Sequence, residues 1–319
     1  MMLIKRIGVR LAALSLLLWP ALLRAQTDQD AIMMSKNLLC VGASYGYSSW
    51  NEYWEGTFHR NNPNLGTAST QMAGLMGIYG VTRKFNVEVN VPYIWTHSTA
   101  GTLHGQKGFQ DLSVWLKWKT LEQNVNSPVS VFVLGGASVP MTNYIADYLP
   151  LAIGMQSKTL SGRLILDYQH RHFFVTASGT YTWRGDITID RDAYYTTSLH
   201  LTNQVDMPNM MSEQLRTGYR NGDRWVAEAV VSNMNTLGGF DITRNNMPFP
   251  SNKMNETMIG AHVKHGFKAV DGLSLDVDGA YTVAGRNMGQ STMFDVGVYY
   301  IFHFSKKASK HSSNQSSTN

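Results

Sequence analysis

The sequence predicts an all-β fold, a transmembrane antiparallel β-barrel of about twelve strands with short periplasmic turns and long extracellular loops. Three observations predict it. Apolar and polar side chains alternate with period two in stretches of about ten residues. The connections between these stretches alternate long and short. Aromatic residues gather at both ends of the apolar faces, where a bilayer has its interfaces. No segment past residue 37 sustains a helical period.

Taken in chain order, the clearest alternation spans 85–95. There Phe85, Val87, Val89, Val91, Tyr93 and Trp95 share one face, and Asn86, Glu88 and Asn90 the other. In 109–119, Leu112, Val114, Leu116 and Trp118 oppose Asp111, Ser113, Lys117 and Lys119. In 160–169, Leu160, Leu164, Leu166 and Tyr168 oppose Ser161, Arg163, Asp167 and Gln169. Segment 172–184 sets Phe173, Val175, Ala177, Tyr181 and Trp183 against Thr176, Ser178, Thr180, Thr182 and Arg184. Segments 273–283 and 294–304 repeat the pattern, with Asp276, Asp278 and Asp295 on the polar face. Fainter alternation places strands near 38–47, 68–80, 128–139, 210–221, 224–233 and 254–267. Segment 68–80 is apolar on both faces, so its orientation is open. The total is even, as a closed bacterial barrel requires.

Long connections fall near 48–67, 96–108, 140–159, 185–209 and 234–253. Short ones centre on 80–83, 124–127, 170–171, 221–223 and 269–272. An antiparallel meander puts alternate connections on opposite rims, so one rim carries turns and the other loops. The connection at Gly285-Arg286-Asn287 is the exception, short on the long-loop rim.

The predicted aromatic girdle comprises Trp95, Trp183 and Tyr281 at the loop rim, with Phe85, Trp118, Tyr168, Trp225 and Phe304 at the turn rim. A soluble β-sandwich also alternates, but it holds its aromatics mid-strand and seldom needs strands this long throughout.

Composition agrees with the barrel. Charged residues are only 15% of the 319, against roughly 25% in typical soluble domains. One cysteine excludes a disulfide framework and thiolate-rich metal sites. The formal net charge of +5 is misleading. Lys5, Arg6, Arg10 and Arg24 precede residue 26, and Lys306, Lys307 and Lys310 follow residue 304, in segments without acids. Removing those seven from 27 leaves 20 bases against 22 acids, so the body has no basic stripe for a nucleic acid. Residues 1–25 read as a Sec-type signal peptide, with a basic start, an apolar run from Leu11 to Leu23 and Ala25 as its last residue. Residues 26–36 form a short periplasmic or luminal segment, able to thread the lumen as a hatch. The barrel covers 37–304, and the polar tail 305–319 reads as disordered.

The chemistry-bearing positions are the inward charges. Glu88, Asp111, Lys117, Lys119, Arg163, Asp167, Arg184, Arg216, Asp276, Asp278 and Asp295 are expected to line the lumen, together with Arg220, Glu228, Glu256 and Lys264. They can set solute selectivity or simply pair to hold the strands, and alternation does not distinguish these roles. Their mixed sign argues against a strongly ion-selective pore. No cofactor or metal is implied: His262 and His265 fall on opposite strand faces. A barrel lipid hydrolase would need a Ser beside a His held by a third polar group. His97-Ser98 has no evident third partner, and His311-Ser312 sits in the tail. The loop after the first strand is rich in aromatics (Trp50, Tyr53, Trp54, Phe58), which suits a receptor or adhesive surface, or packing into the lumen.

Residues 77–141 carry a more particular pattern: Gly77-Ile78-Tyr79-Gly80-Val81-Thr82-Arg83-Lys84-Phe85, Val89-Asn90-Val91-Pro92-Tyr93, Lys107-Gly108-Phe109-Gln110-Asp111-Leu112, Leu116-Lys117-Trp118-Lys119, and Gly135 to Pro140 before Met141-Thr142. This resembles the outer-membrane transporter family named after the meta-pathway of phenol degradation. Two departures stand out: Gln110 where that family usually has a second Gly, and Pro140-Met141-Thr142 in place of Pro-Thr-Gly. The resemblance implies a porin-like barrel in a Gram-negative outer membrane, passively taking up small hydrophobic or aromatic compounds. Its partners would be the lipid bilayer, the solute and the barrel-insertion machinery, and it implies no catalytic residue.

Overall fold

The computed structural model describes residues 27–123, 127–222, 224–242 and 246–303. Alternating side chains give one greasy and one polar face per strand. In a bilayer such a sheet satisfies its backbone only by closing on itself.

The chain does close, into a barrel of twelve antiparallel strands. They are β1 (Leu38–Trp50), β2 (Ala68–Gly80), β3 (Phe85–Ser98), β4 (Asp111–Leu121), β5 (Val129–Pro140) and β6 (Thr159–His170), then β7 (Phe173–Arg184), β8 (Met210–Asn221), β9 (Trp225–Thr236), β10 (Asn255–Gly266), β11 (Leu273–Arg286) and β12 (Thr292–His303). Each strand pairs with its sequence neighbours, and β1 pairs with β12 from Leu38↔His303 to Ser49↔Thr292. The seam is therefore hydrogen-bonded along nearly its whole length. The expected strand from residue 109 is divided at Gln110: Lys107–Phe109 pairs with Tyr93–Trp95, and β4 begins at Asp111.

Outward positions carry the apolar residues. Val41, Leu75, Leu116, Leu164, Leu215, Ile259 and Val298 are all exposed on the wall. The open orientation of β2 settles with Leu75 and Tyr79 outside and Ile78 buried inside. The girdle positions Trp118, Tyr168, Trp183, Trp225 and Tyr281 are also exposed, and Phe85 and Trp95 partly so. At the turn rim Phe85 pairs with Trp118, and at the loop rim Tyr45, Tyr93 and Trp95 pack together at 6.2 and 6.0 Å. Phe304, the leader at 1–25 and the tail at 305–319 lie outside the described residues. One charge departs from the pattern: Glu213, in register with Gly179 and Asn233, is exposed on the outward parity of β8.

An arginine in place of Leu164, 47% exposed near the middle of β6, should destabilise the folded barrel by about 2–4 kcal/mol. The same change at Ser178 on the inward face of β7 should cost far less. Urea titration in lipid vesicles checks this, and equal costs at the two sites would contradict the assigned faces.

Turn-rim connections are tight. Gly272 adopts φ 88°, and an added Cβ would meet the Ile301 carbonyl oxygen at 2.7 Å, so only glycine fits. The short connection on the loop rim also has a structural reason. Asn287 (φ 54°) is buried and ties three loops together. Its Oδ1 accepts from the Gly56 and Ile242 amides (2.7 and 3.1 Å), while its Nδ2 donates to Asp241 and to the Lys253 carbonyl (2.8 and 2.6 Å). Arg286 adds a two-pronged pair with Asp241 at 2.8 and 2.6 Å. A long loop here would have lost this fixed hub.

Candidate functional site

The interior of the cylinder is filled at the turn rim and hollow toward the loop rim. The filling is the N-terminal segment. Residues 27–37 run inside the barrel and enter β1 at Leu38, with the Asn37 amide donating to the Gly80 carbonyl at 2.7 Å. Met34 is buried against Cys40, Ile78, Tyr299 and Ile301, and Met33 against Phe132, Leu134 and Ile165. Inward apolar residues at the ends of β2, β5, β6 and β12 thus make sockets for two methionines. The Tyr299 ring lies across the glycine backbones of β1 and β12: a Cβ at Gly42 would sit 2.3 Å from it.

Ionic contacts hold the segment from the wall. Lys117, whose side chain is 0% exposed, donates to the Thr27 carbonyl (2.8 Å) and to Asp30 (3.1 Å), and Glu88 lies 3.8 Å away. Arg163 reaches Asp28 at 2.8 Å, donates to Thr180 at 2.7 Å and covers the Trp115 ring at 4.5 Å. Burial alone would raise the Asp30 carboxyl. Lys117, Lys264 and the amides of Ile32 and Thr27 outweigh it and hold the group below its usual range.

Most of the other inward charges form separate pairs. Asp167 takes Arg220 at 3.2 Å and Thr176 at 2.5 Å. Glu228 takes Arg216 at 3.2 Å and His262 at 2.8 Å, and His262 also faces Asp276 at 3.8 Å. Lys119 pairs with Glu122 at 3.3 Å. Asp111 accepts from the Tyr144 hydroxyl at 2.7 Å, and Asp278 and Asp295 face the hollow beside the plug. Arg184 donates to the Pro208 carbonyl at 2.6 Å. Among the described residues no cluster of three His, Cys, Asp or Glu has metal-holding geometry. The Ser98 hydroxyl points to the Ala100 and Leu103 carbonyls at 3.2 and 3.3 Å.

Four cavities follow one another through shared walls. The outermost, about 350 Å³ among the loops, is walled by Tyr148, Tyr194, Tyr195, Phe240 and Phe249, with Tyr194 stacked on Phe249 at 5.1 Å. Leu149 separates it from a chamber of about 480 Å³ lined by Trp115, Ile153, Met155 and Arg184. Arg163, Thr180 and Ser212 divide that chamber from one of about 430 Å³. Gln29 of the plug and Asp278 separate this from a last hollow of about 310 Å³ beside the plug.

Several of these residues carry no sequence signal. Trp115 points inward on β4, among residues whose alternation placed only Asp111, Ser113, Lys117 and Lys119 there; a Cβ at the facing Gly136 would meet its ring at 2.5 Å. Loop 141–158 folds down into the mouth, where Tyr144 packs against Ile94 and Ile153, and Thr96 donates to the Leu151 carbonyl at 2.6 Å. Of the first-loop aromatics, Trp54 is buried against His59 (4.9 Å) and the Gly285 backbone, so it serves packing, while Phe58 stays exposed.

The fold and its plugged lumen define the class: a closed, twelve-stranded transmembrane β-barrel. A channel from Pseudomonas putida F1, described as a COG4313 outer membrane channel, superposes with a TM-score of 0.69, covering 87% of this chain and 99% of that one at 14% identity. At that identity the likeness shows the shared fold. The translocator domain of the autotransporter NalP from Neisseria meningitidis (TM-score 0.47, 10% identity, 93% and 95% coverage) is a weaker likeness. No protein-family model matches the chain, and no curated protein matches it by sequence. The phenol-pathway resemblance therefore rests on the quoted segments alone.

Proposed function

We propose that this protein is an outer-membrane channel through which small hydrophobic or aromatic compounds pass passively, with the segment 27–37 as its gate. One observation carries the reading: a series of cavities with shared walls, from the aromatic outer pocket, past Leu149 and Arg163, to the plug. Its upper walls carry apolar rings and thioethers, suited to apolar solutes, set among Ser and Thr hydroxyls and the charged groups of Asp147, Arg191, Asp111 and Arg184. The lower lumen holds charges of both signs, most of them paired, so it favours neither anions nor cations strongly. The likeness to a Pseudomonas channel, and the phenol-pathway resemblance of 77–141, support the same assignment. Export by the leader at 1–25 and insertion by the barrel machinery belong to this proposal.

Uptake of a labelled aromatic alcohol such as benzyl alcohol by cells with an intact lipopolysaccharide layer tests it. Expression should speed uptake of the alcohol and leave glucose uptake unchanged. Equal rates with and without the protein would reject the channel. The loops joined at Asn287 through Gly56, Ile242 and Lys253 favour a receptor surface as the second reading, because that hub holds them together. Binding of whole particles or ligands without solute passage would support that reading.

A further inference from the structure

Four inward cations of the lumen each have a carboxylate: Lys117 has Asp30, Arg163 has Asp28, Arg216 has Glu228 and Arg220 has Asp167. Arg184 differs. It ends β7 at the mouth of the barrel and lines the chamber of about 480 Å³. Its backbone amide is fixed by Asn209 (3.1 Å) and its Nε by the Pro208 carbonyl (2.6 Å). Its Nη2 is buried and without a hydrogen-bond partner, and no carboxylate pairs with it among the described residues. A guanidinium taken out of water with an amino group unspent is costly unless something else supplies the anion. The acid that shares the chamber, Asp111, is committed to the Tyr144 hydroxyl at 2.7 Å.

One part of that chamber's lining is apolar, beside the hydroxyls of Ser113, Ser138, Ser161, Thr180, Thr182 and Ser212. Leu149, Ile153 and Met155 descend from loop 141–158, and Trp115 rises from β4. A held cation and an apolar patch in one chamber fit a molecule with one carboxylate and one apolar body. The volume accommodates a phenylalkanoate or a short fatty acid.

Resting on the channel reading above, we propose that this chamber is a binding site for amphipathic monocarboxylates, with the carboxylate on the Arg184 guanidinium and the apolar body against Trp115, Ile153 and Met155. The site makes the protein a selective acceptor of aromatic or aliphatic acids rather than of neutral hydrocarbons. Charge-assisted bonds to a planar guanidinium are strong and directional, and a neutral analogue cannot make them.

The test is equilibrium binding of 4-phenylbutanoate and of its neutral counterpart 4-phenylbutan-1-ol to the purified barrel in lipid nanodiscs at pH 7. The unaltered protein should bind the acid about tenfold more tightly than the alcohol. Arg184→Gln should remove that preference and leave alcohol binding within about twofold, while Arg184→Lys should keep part of it. Equal affinity of the unaltered protein for acid and alcohol overturns the proposal without any variant having to fold. So does an Arg184→Gln barrel, folded by its heat-modifiable gel mobility, that still prefers the acid. The two readings fail separately. Protein-dependent uptake of benzyl alcohol with no acid preference in binding rejects the Arg184 site and leaves the channel. Acid binding that Arg184→Gln abolishes, with no uptake of either compound, upholds the site and rejects the channel.

Discussion

Deleting residues 27–36 from the folded barrel should raise its single-channel conductance several-fold, because this segment occupies the lower lumen. Met33 and Met34 fill sockets at the turn rim, and Asp28 and Asp30 are held by Arg163 and Lys117. Burial of each methionine contributes about 1.5–3 kcal/mol, and the ionic contacts fix the register. The segment should therefore stay seated at neutral pH, giving a low, quiet baseline current. Acid should loosen it. Asp30 has its carboxyl held below the ordinary aspartate range when seated. A depressed group of this kind stabilises the seated state above the free aspartate value and loses that contribution as pH falls through the lower, seated one. Conductance should rise on acidification below about pH 4. A deletion variant with the parent's conductance would show that the segment does not close the path.

The second large effect is expected at Lys117. Its ammonium is fully enclosed, between a carboxylate and a carbonyl of the plug, with Glu88, itself 4% exposed, at 3.8 Å. Lys117→Met leaves two enclosed carboxylates with their shared cation gone. The expected loss of stability is about 3–5 kcal/mol. Adding Asp30→Asn should restore part of it, since the two residues act as one unit. Urea unfolding followed by gel mobility of the closed barrel measures both. A single variant within about 1 kcal/mol of the parent would mean that water reaches the site.

What was legible in the amino-acid order was the wall. Period two is the geometry of a strand between lipid and lumen, so Phe85 to Trp95 or Leu160 to Tyr168 declare their faces directly. All twelve strands appear near the expected positions, and the long and short connections fall on alternate rims. The contents of the lumen were less legible. Trp115 is an apolar ring on the polar face of its strand and fills the space left by Gly136, a complementarity that exists only once β4 and β5 are side by side. Tyr144 and Ile153 sit in a loop whose inward fold depends on contacts with Ile94 and Thr96. Asn287 looks like any turn asparagine until its three loops converge. Glu213 runs the other way: its outward parity is plain from register, but a charge there was not expected.

The β1–β12 seam has a consequence for how the molecule can be made. Its two edges belong to the most widely separated strands of the wall, so the cylinder stays an open sheet until the last strand has been delivered. Closing so long a loop is entropically slow. The luminal segment leads directly into the first edge, and one of its methionine sockets is built partly from the second, through Tyr299 and Ile301. Threading a finished cylinder would be topologically awkward. Sealing the seam around a segment already lying in the groove is the simpler order, in which the act of zipping encloses the stopper.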